Sequence, residues 1–244
     1  VLNPAWIDDL ADAFWSAVGD GPRPRLEDAV SLATPLVVVR LPRLRPASVN
    51  AWLARYGIGP WLGRATGRLH GCLLVQRDTG VIFIDGSDPP DEQQFTLAHE
   101  LAHYLADYRR PRERALALLG PAIAPVLDGD RPPTDDERLS AVLRSVPIGA
   151  YVDLIAYDTL ATIAHESDAD RLAIELIAPA EAALPLAADT ADLPGPARPP
   201  ALAERLRETF ALPPAVAAAY ANRLLAYLGL DWRTPAWLAG GQWR

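Results

Sequence analysis

Two histidines and a glutamate fall within one turn of the stretch QFTLAHELAHYL (residues 94–105): His99, Glu100 and His103. Wound as a helix, positions 99 and 103 lie one turn apart, roughly 6 Å between Cα atoms, so both imidazoles reach one metal ion. Glu100 is placed to reach a water on that ion. This is the H-E-x-x-H arrangement, in which the histidines hold zinc, the zinc acidifies water, and the glutamate takes the proton as that water attacks a carbonyl. Thr96, His99, Glu100, His103 and Asp107 recur three or four apart and form one polar seam, while Phe95, Leu97, Ala98, Leu101, Ala102, Leu105 and Ala106 cover the rest. A buried helix with a single polar seam suits the wall of a cleft. A pair of hydrogen-bonded core histidines is the plain structural alternative, but three such groups in phase on one seam argue against it.

A catalytic zinc usually takes three protein ligands and keeps one position open. Ala106 and Arg109 stand where the longer histidine motif needs glycine and histidine, and the chain has no methionine for a Met-turn. Asp107 is eight residues from His99, about 12 Å along a helix axis, too far to share a metal with it. A second helix, predicted over 159–178, carries HESDADRLAIELIAP. Its apolar pattern puts Glu166 and Asp170 on the inward side and Asp168, Arg171 and Glu175 outward. Glu166 is the expected third ligand, with His165 as its rival. Asp170 is expected to accept the free N–H of a ligand histidine. A buried salt bridge, to Arg171 or Arg144, is the alternative use of these carboxylates.

The elements that must position these groups are legible in outline. Residues 72–76 and 81–85 read as a hairpin around a four-residue turn, Arg77 to Gly80. LVVVRL (36–41) reads as a buried strand. Helices are predicted over 5–18, 47–56 (Ser48 as cap, Gly57 as stop), 92–108 and 111–119. Thr134 and Glu137 form a capping-box pattern before a helix whose apolar face is Leu139, Val142, Leu143 and Val146. GAYVDLIA (149–156) reads as a strand. ADLPGPARPP (191–200) is the best linker, followed by alanine- and leucine-rich helices.

DPPDEQQFTLAHELAHYL, followed later by ESDADRLAIELIAP, resembles the ImmA/IrrE family of metallopeptidases. In that family a hairpin precedes the H-E-x-x-H helix, and a later helix of pattern E-x-x-A-N-x-F-A-x-x-L-L-x-P gives the third ligand. Glu166, Ala169, Ile177 and Pro179 match or nearly match; Asp170 replaces the asparagine and Leu172 the aromatic. The resemblance covers about 70–108 and 160–180. It implies an α+β fold, mainly helical and zincin-like, with a small antiparallel sheet or hairpin beside the H-E-x-x-H helix, and one Zn2+ as cofactor. It also implies a cytoplasmic protein that cleaves a helix-turn-helix repressor. The 63 positions from His103 to Glu166 exceed the usual spacing. The expected organisation is therefore a peptidase domain over 1–190 with an insertion at 109–158, a linker at 191–200 and a helical C-terminal extension over 201–244.

Composition narrows the partners. The chain of 244 residues is 50% hydrophobic and 22% charged, with a net charge of −8. Hydrophobic runs are broken well short of a membrane span, and no secretory signal is seen. One cysteine, Cys72, excludes a disulfide framework and fits a reducing compartment. An acidic chain is a poor nucleic-acid binder and a good match for a basic protein partner; its oligomeric state is left open. Tyr104, Tyr151, Tyr157 and His165 are candidates to steady an oxyanion, and His70 is expected to be structural or exposed. A free hairpin edge at 81–85 would let a substrate chain add as a strand. The competing reading is a non-catalytic regulator, stabilised by zinc, that binds a repressor or antitoxin.

Overall fold

The structure is a computed structural model, and it describes residues 2–60, 62, 67–146, 148 and 160–231, with backbone but not side chains at 160–165. The strand expected at 149–156, Tyr151, Tyr157, the His165 side chain and the end of the C-terminal extension lie outside the described residues.

Helices α1 (Ala5–Val18) and α2 (Leu26–Ala33) lead into strand β1 (Leu36–Leu41), helix α3 (Pro46–Ala54) and the hairpin β2 (Gly71–Gln76) and β3 (Thr79–Asp85). Helix α4 (Pro90–His103) follows. It continues without a break through a π-helical turn (Tyr104–Arg109) into α5 (Arg110–Leu119), then come α6 (Ala124–Leu127), α7 (Asp135–Leu143) and α8 (Leu160–Ile177). Helices α9 (Ala180–Ala188), α10 (Arg198–Phe210) and α11 (Pro214–Tyr227) complete the described chain. The fold is α+β and mainly helical.

The sheet is mixed, in the order β1-β3-β2. β3 pairs antiparallel with β2 and parallel with β1, so it is the central strand. Two expectations change as a result. LVVVRL is an edge strand: only Leu36 is buried and Val37 faces water. The run of four valines and leucines reflects β-propensity rather than double-sided burial. The span 81–85 has no free edge; among the described residues, the unpaired edges belong to β1 and β2. The turn is also tighter than expected, two residues rather than four. Arg77 and Asp78 take positive φ, 51° and 68°, as a two-residue hairpin with right-handed strand twist requires. Tertiary contacts hold this turn in place of the usual Asn-Gly: the Asp78 N–H donates to the Tyr108 hydroxyl (2.8 Å) and Arg77 pairs with Asp130 (2.5 Å).

Alternation along the strands divides the core. Cys72 and Phe83 face Leu44, Val49, Leu53 and Leu62. Gly71, Leu73, Ile82 and Ile84 take the opposite face, where α4 lies across the hairpin. A turn pinned by Asp85 launches α4. This fully buried carboxylate accepts from the backbone N–H of Arg43 and Ser87 (both 2.8 Å) and from Arg68 Nε (2.9 Å). Arg68 also pairs with Asp88, the residue before the prolines that open α4. The Thr134–Glu137 capping box opens α7 as expected. Its predicted apolar face does not pack: Leu139, Val142 and Leu143 are exposed and only Val146 joins the small core of Ala115, Ile123, Val126 and Leu127.

The chain divides into two compact units, one of Ala5–Leu176 and the other of Ile177–Arg244 with Val1–Pro4. In the second, the proline-rich stretch contains a 3-10 turn (Gly195–Ala197) and runs straight into α10. Arg198 donates to the carbonyls of Leu193, Ala191 and Leu230 at 2.9–3.1 Å, which gathers a segment poor in N–H donors. The Tyr220 hydroxyl donates to the Ala178 carbonyl within a core of Leu202, Leu206, Leu212 and Leu224.

Candidate metal centre

Helices α4 and α8 bring three donor groups to one point. His99 Nε2 and His103 Nε2 are 3.1 Å apart. Glu166 Oε2 lies 3.2 Å from the first, and its Oε1 lies 3.7 Å from the second. Among the described residues, His99, His103 and Glu166 form the cluster whose donor atoms could hold a metal ion. The distances test the fit. Ligands at 2.0–2.1 Å from a tetrahedral zinc stand about 3.3 Å from one another. The protonation pattern gives a second test. His99 Nδ1 lies 2.9 Å from Asp170 Oδ1, and His103 Nδ1 lies 2.7 Å from Asp107 Oδ2. A carboxylate only accepts, so each Nδ1 carries the proton and each Nε2 presents a lone pair. Two lone pairs and a carboxylate aimed at one point repel unless a cation, or an extra proton, sits among them. The residues therefore fit a divalent cation.

Electrostatics agree with that need for positive charge. Burial disfavours a charged His99 ring, but the Asp170 hydrogen bond and the charges of Glu100, Asp170 and Glu166 outweigh it and raise its pKa. Glu100 moves up too, because burial outweighs the attraction of His99 and His103. A carboxylate so raised holds a proton more readily than an exposed one, as a general base must once it has taken one. Glu100 also accepts a hydrogen bond from the Leu73 backbone N–H on β2.

The structure places the other sequence-predicted residues as follows. Glu166 and Asp170 are each about half exposed, 52% and 54%. Neither is on a buried face, as the helical pattern had them. Glu175, expected outward, is buried, as are Leu172, Ala173, Ile174 and Leu176. The single-face pattern fails because five consecutive residues, Leu172–Leu176, are buried on every side of the helix, while Glu166, Ser167 and Asp170 before them are exposed. Tyr104 is buried and stacks on Tyr108 (5.8 Å) beside the hairpin turn, and burial raises its pKa. His70 is exposed and bonded through Nδ1 to Asp88 at 2.8 Å. Cys72 is a buried thiol pushed up to about 12, chiefly by burial.

Two features were not anticipated. Asp107 is no ligand, yet it holds His103; its i+4 spacing from that histidine was the available signal. Gly71 faces Glu100 so closely that no side chain fits between them. Only the tertiary structure reveals this.

No curated protein sequence and no solved structure matches the chain. A family model does match, over residues 64–124, a stretch that holds the hairpin, the H-E-x-x-H helix, the π-helical turn and α5. The model is that of the IrrE N-terminal-like domain, Peptidase_M78, and the match makes this stretch similar to a metallopeptidase domain.

Proposed function

We propose that the protein is a zinc-dependent metallo-endopeptidase that cuts a peptide bond in a specific cytoplasmic protein, a basic helix-turn-helix repressor. The observation that carries the reading is the convergence of His99 Nε2, His103 Nε2 and Glu166 on one point, next to Glu100, with His99, Glu100 and His103 inside the stretch that matches a peptidase family and Glu166 brought to them from beyond it. His99, His103 and Glu166 would hold the ion. When bound, zinc supplies Lewis acidity toward water and a scissile carbonyl. Glu100 takes the proton from the attacking water on its carboxylate and delivers it to the leaving amine. Asp170 fixes the tautomer and ring angle of His99. The outer edge of β2, which lends its Leu73 N–H to Glu100, is a rail on which an extended substrate segment adds as a further strand.

The substrate class rests on charge and on the resemblance of the two motif segments. A net charge of −8 favours encounter with a basic, DNA-binding partner and disfavours nucleic acid itself. No helix among the described residues is long and apolar enough to cross a membrane.

Glu100→Gln tests the reading. The substitution keeps shape and hydrogen-bond acceptance while removing the base. Expected is unchanged zinc content with cleavage of the cognate repressor abolished. A Glu100→Gln protein that still relieves repression would instead make the chain a regulator that works by binding a repressor or antitoxin.

A further inference from the structure

Two carboxylates flank the candidate metal centre, and they are not equivalent. Asp170 reaches His99 from α8, and its side chain is 54% exposed, with that of His99 at 19%. Asp107 reaches His103 from within the same helical run, and those two side chains are 16% and 11% exposed. The second bond is shorter, 2.7 against 2.9 Å, and drier. A carboxylate in a less polar setting acts more strongly on its imidazole, because water screens it less. The local backbone is unusual as well. A π-helical turn begins at Tyr104, directly after His103, and contains Asp107. Such turns are rare and concentrate at functional sites. Here the turn also carries Tyr108 to its contact with the hairpin at Asp78, so the segment holding Asp107 is fixed at its far end by the sheet.

We infer that Asp107 is the dominant positioning residue of the metal centre: it fixes His103 with Nε2 toward the ion and strengthens that nitrogen as a donor, more than Asp170 does for His99. The inference rests on the metal-site reading above and adds to it an order between the two carboxylates. Asp107 stands outside the donor cluster and reaches it through His103.

The test is a zinc titration of the full chain against a competing chromophoric chelator, for wild type, Asp107→Asn, Asp107→Glu and Asp170→Asn. The cobalt-substituted absorption spectrum is recorded for each, and folding of the metal-free chain is followed by circular dichroism. Losing an outer carboxylate costs roughly 10–100-fold in metal affinity. Asp107→Asn is expected in that range, with an altered cobalt spectrum and an unchanged metal-free fold. Asp107→Glu should recover part of the loss, and Asp170→Asn should cost less than Asp107→Asn. Wild-type affinity in Asp107→Asn, or a larger loss in Asp170→Asn, overturns the proposal. Should Asp107→Asn fail to fold, Asp107→Glu decides: zinc binding within about tenfold of wild type supports a charge-dependent role, and loss of binding refutes it. Wild-type protein that takes up no zinc would sink the metal-site reading itself. One ion per wild-type chain with no effect at Asp107 sinks only this inference.

Discussion

Gly71 on β2 stands directly against Glu100 on α4: a β-carbon at Gly71 would lie 2.5 Å from the Glu100 Oε1 oxygen and 2.5 Å from Thr96 Cγ2. Real β-carbons do not approach that closely, so the absence of a side chain at 71 is what lets the Glu100 carboxylate lie against the strand and accept the Leu73 N–H. Gly71→Ala must therefore push the carboxylate away while leaving the imidazoles alone. A displacement near 1 Å at a reacting group costs roughly 100-fold in rate. Cleavage by Gly71→Ala should fall by that order with zinc content unchanged. Full activity in the variant would mean that Glu100 is free to move and that the strand does not set its position.

Glu166 faces both histidines from α8, 3.2 and 3.7 Å away, and is half exposed. An exposed glutamate with no cation to bind is indifferent to losing its charge. A ligand is not. Glu166→Gln should weaken zinc binding by more than the roughly 10–100-fold typical of an outer partner. Measured zinc affinity equal to that of wild type would remove Glu166 from the centre and leave its place to another group.

What the sequence reveals of this site is what a single helix can encode. His99, Glu100, His103 and Asp107 share a seam because 3.6-residue periodicity puts them there, and no tertiary information is needed to see it. The relation of Asp107 to His103 is equally local. It is missed when the spacing is measured from His99, about 12 Å away, rather than from the histidine one turn back. The relations between elements behave differently. The clash-free approach of Gly71 to Glu100 and the parallel pairing of β1 with β3 join residues far apart in the chain, and composition at either end does not announce them. α7 makes the same point in reverse. Its apolar stripe is periodic, yet Leu139, Val142 and Leu143 stand exposed.

The hairpin turn offers a test of stability. Asp78 holds φ at +68°, a conformation that disfavours a β-carbon, because the Tyr108 hydroxyl accepts its N–H. Glycine adopts that conformation freely and keeps the same N–H. Asp78→Gly should stabilise the protein by about 0.5–1 kcal/mol, after allowance for the greater freedom of glycine in the unfolded chain. Urea unfolding checks the sign. A lower midpoint would mean that the aspartate contributes a contact worth more than the strain it carries.

Asp85 gives the fold an acid limit with a definite direction. Burial alone would raise its pKa, but the N–H groups of Ser87 and Arg43 and the guanidinium of Arg68 outweigh burial and bring it from 3.8 to about 2. A carboxyl whose folded pKa is depressed favours the folded state wherever it is ionised. Its contribution is complete above about pH 4, the unfolded value, and disappears as pH falls toward about 2, where the folded protein too becomes protonated. Asp85→Asn removes the charge at every pH. The stability gap between wild type and Asp85→Asn should therefore be widest above pH 4 and should close steadily below it, as read by urea unfolding at stepped pH. The loss should reach α4 as well, since Asp85 and Asp88 share Arg68 at the turn from which that helix starts. A gap that stays constant down to pH 2 would mean that the hydrogen-bonded shape at position 85, and not its charge, pins the turn.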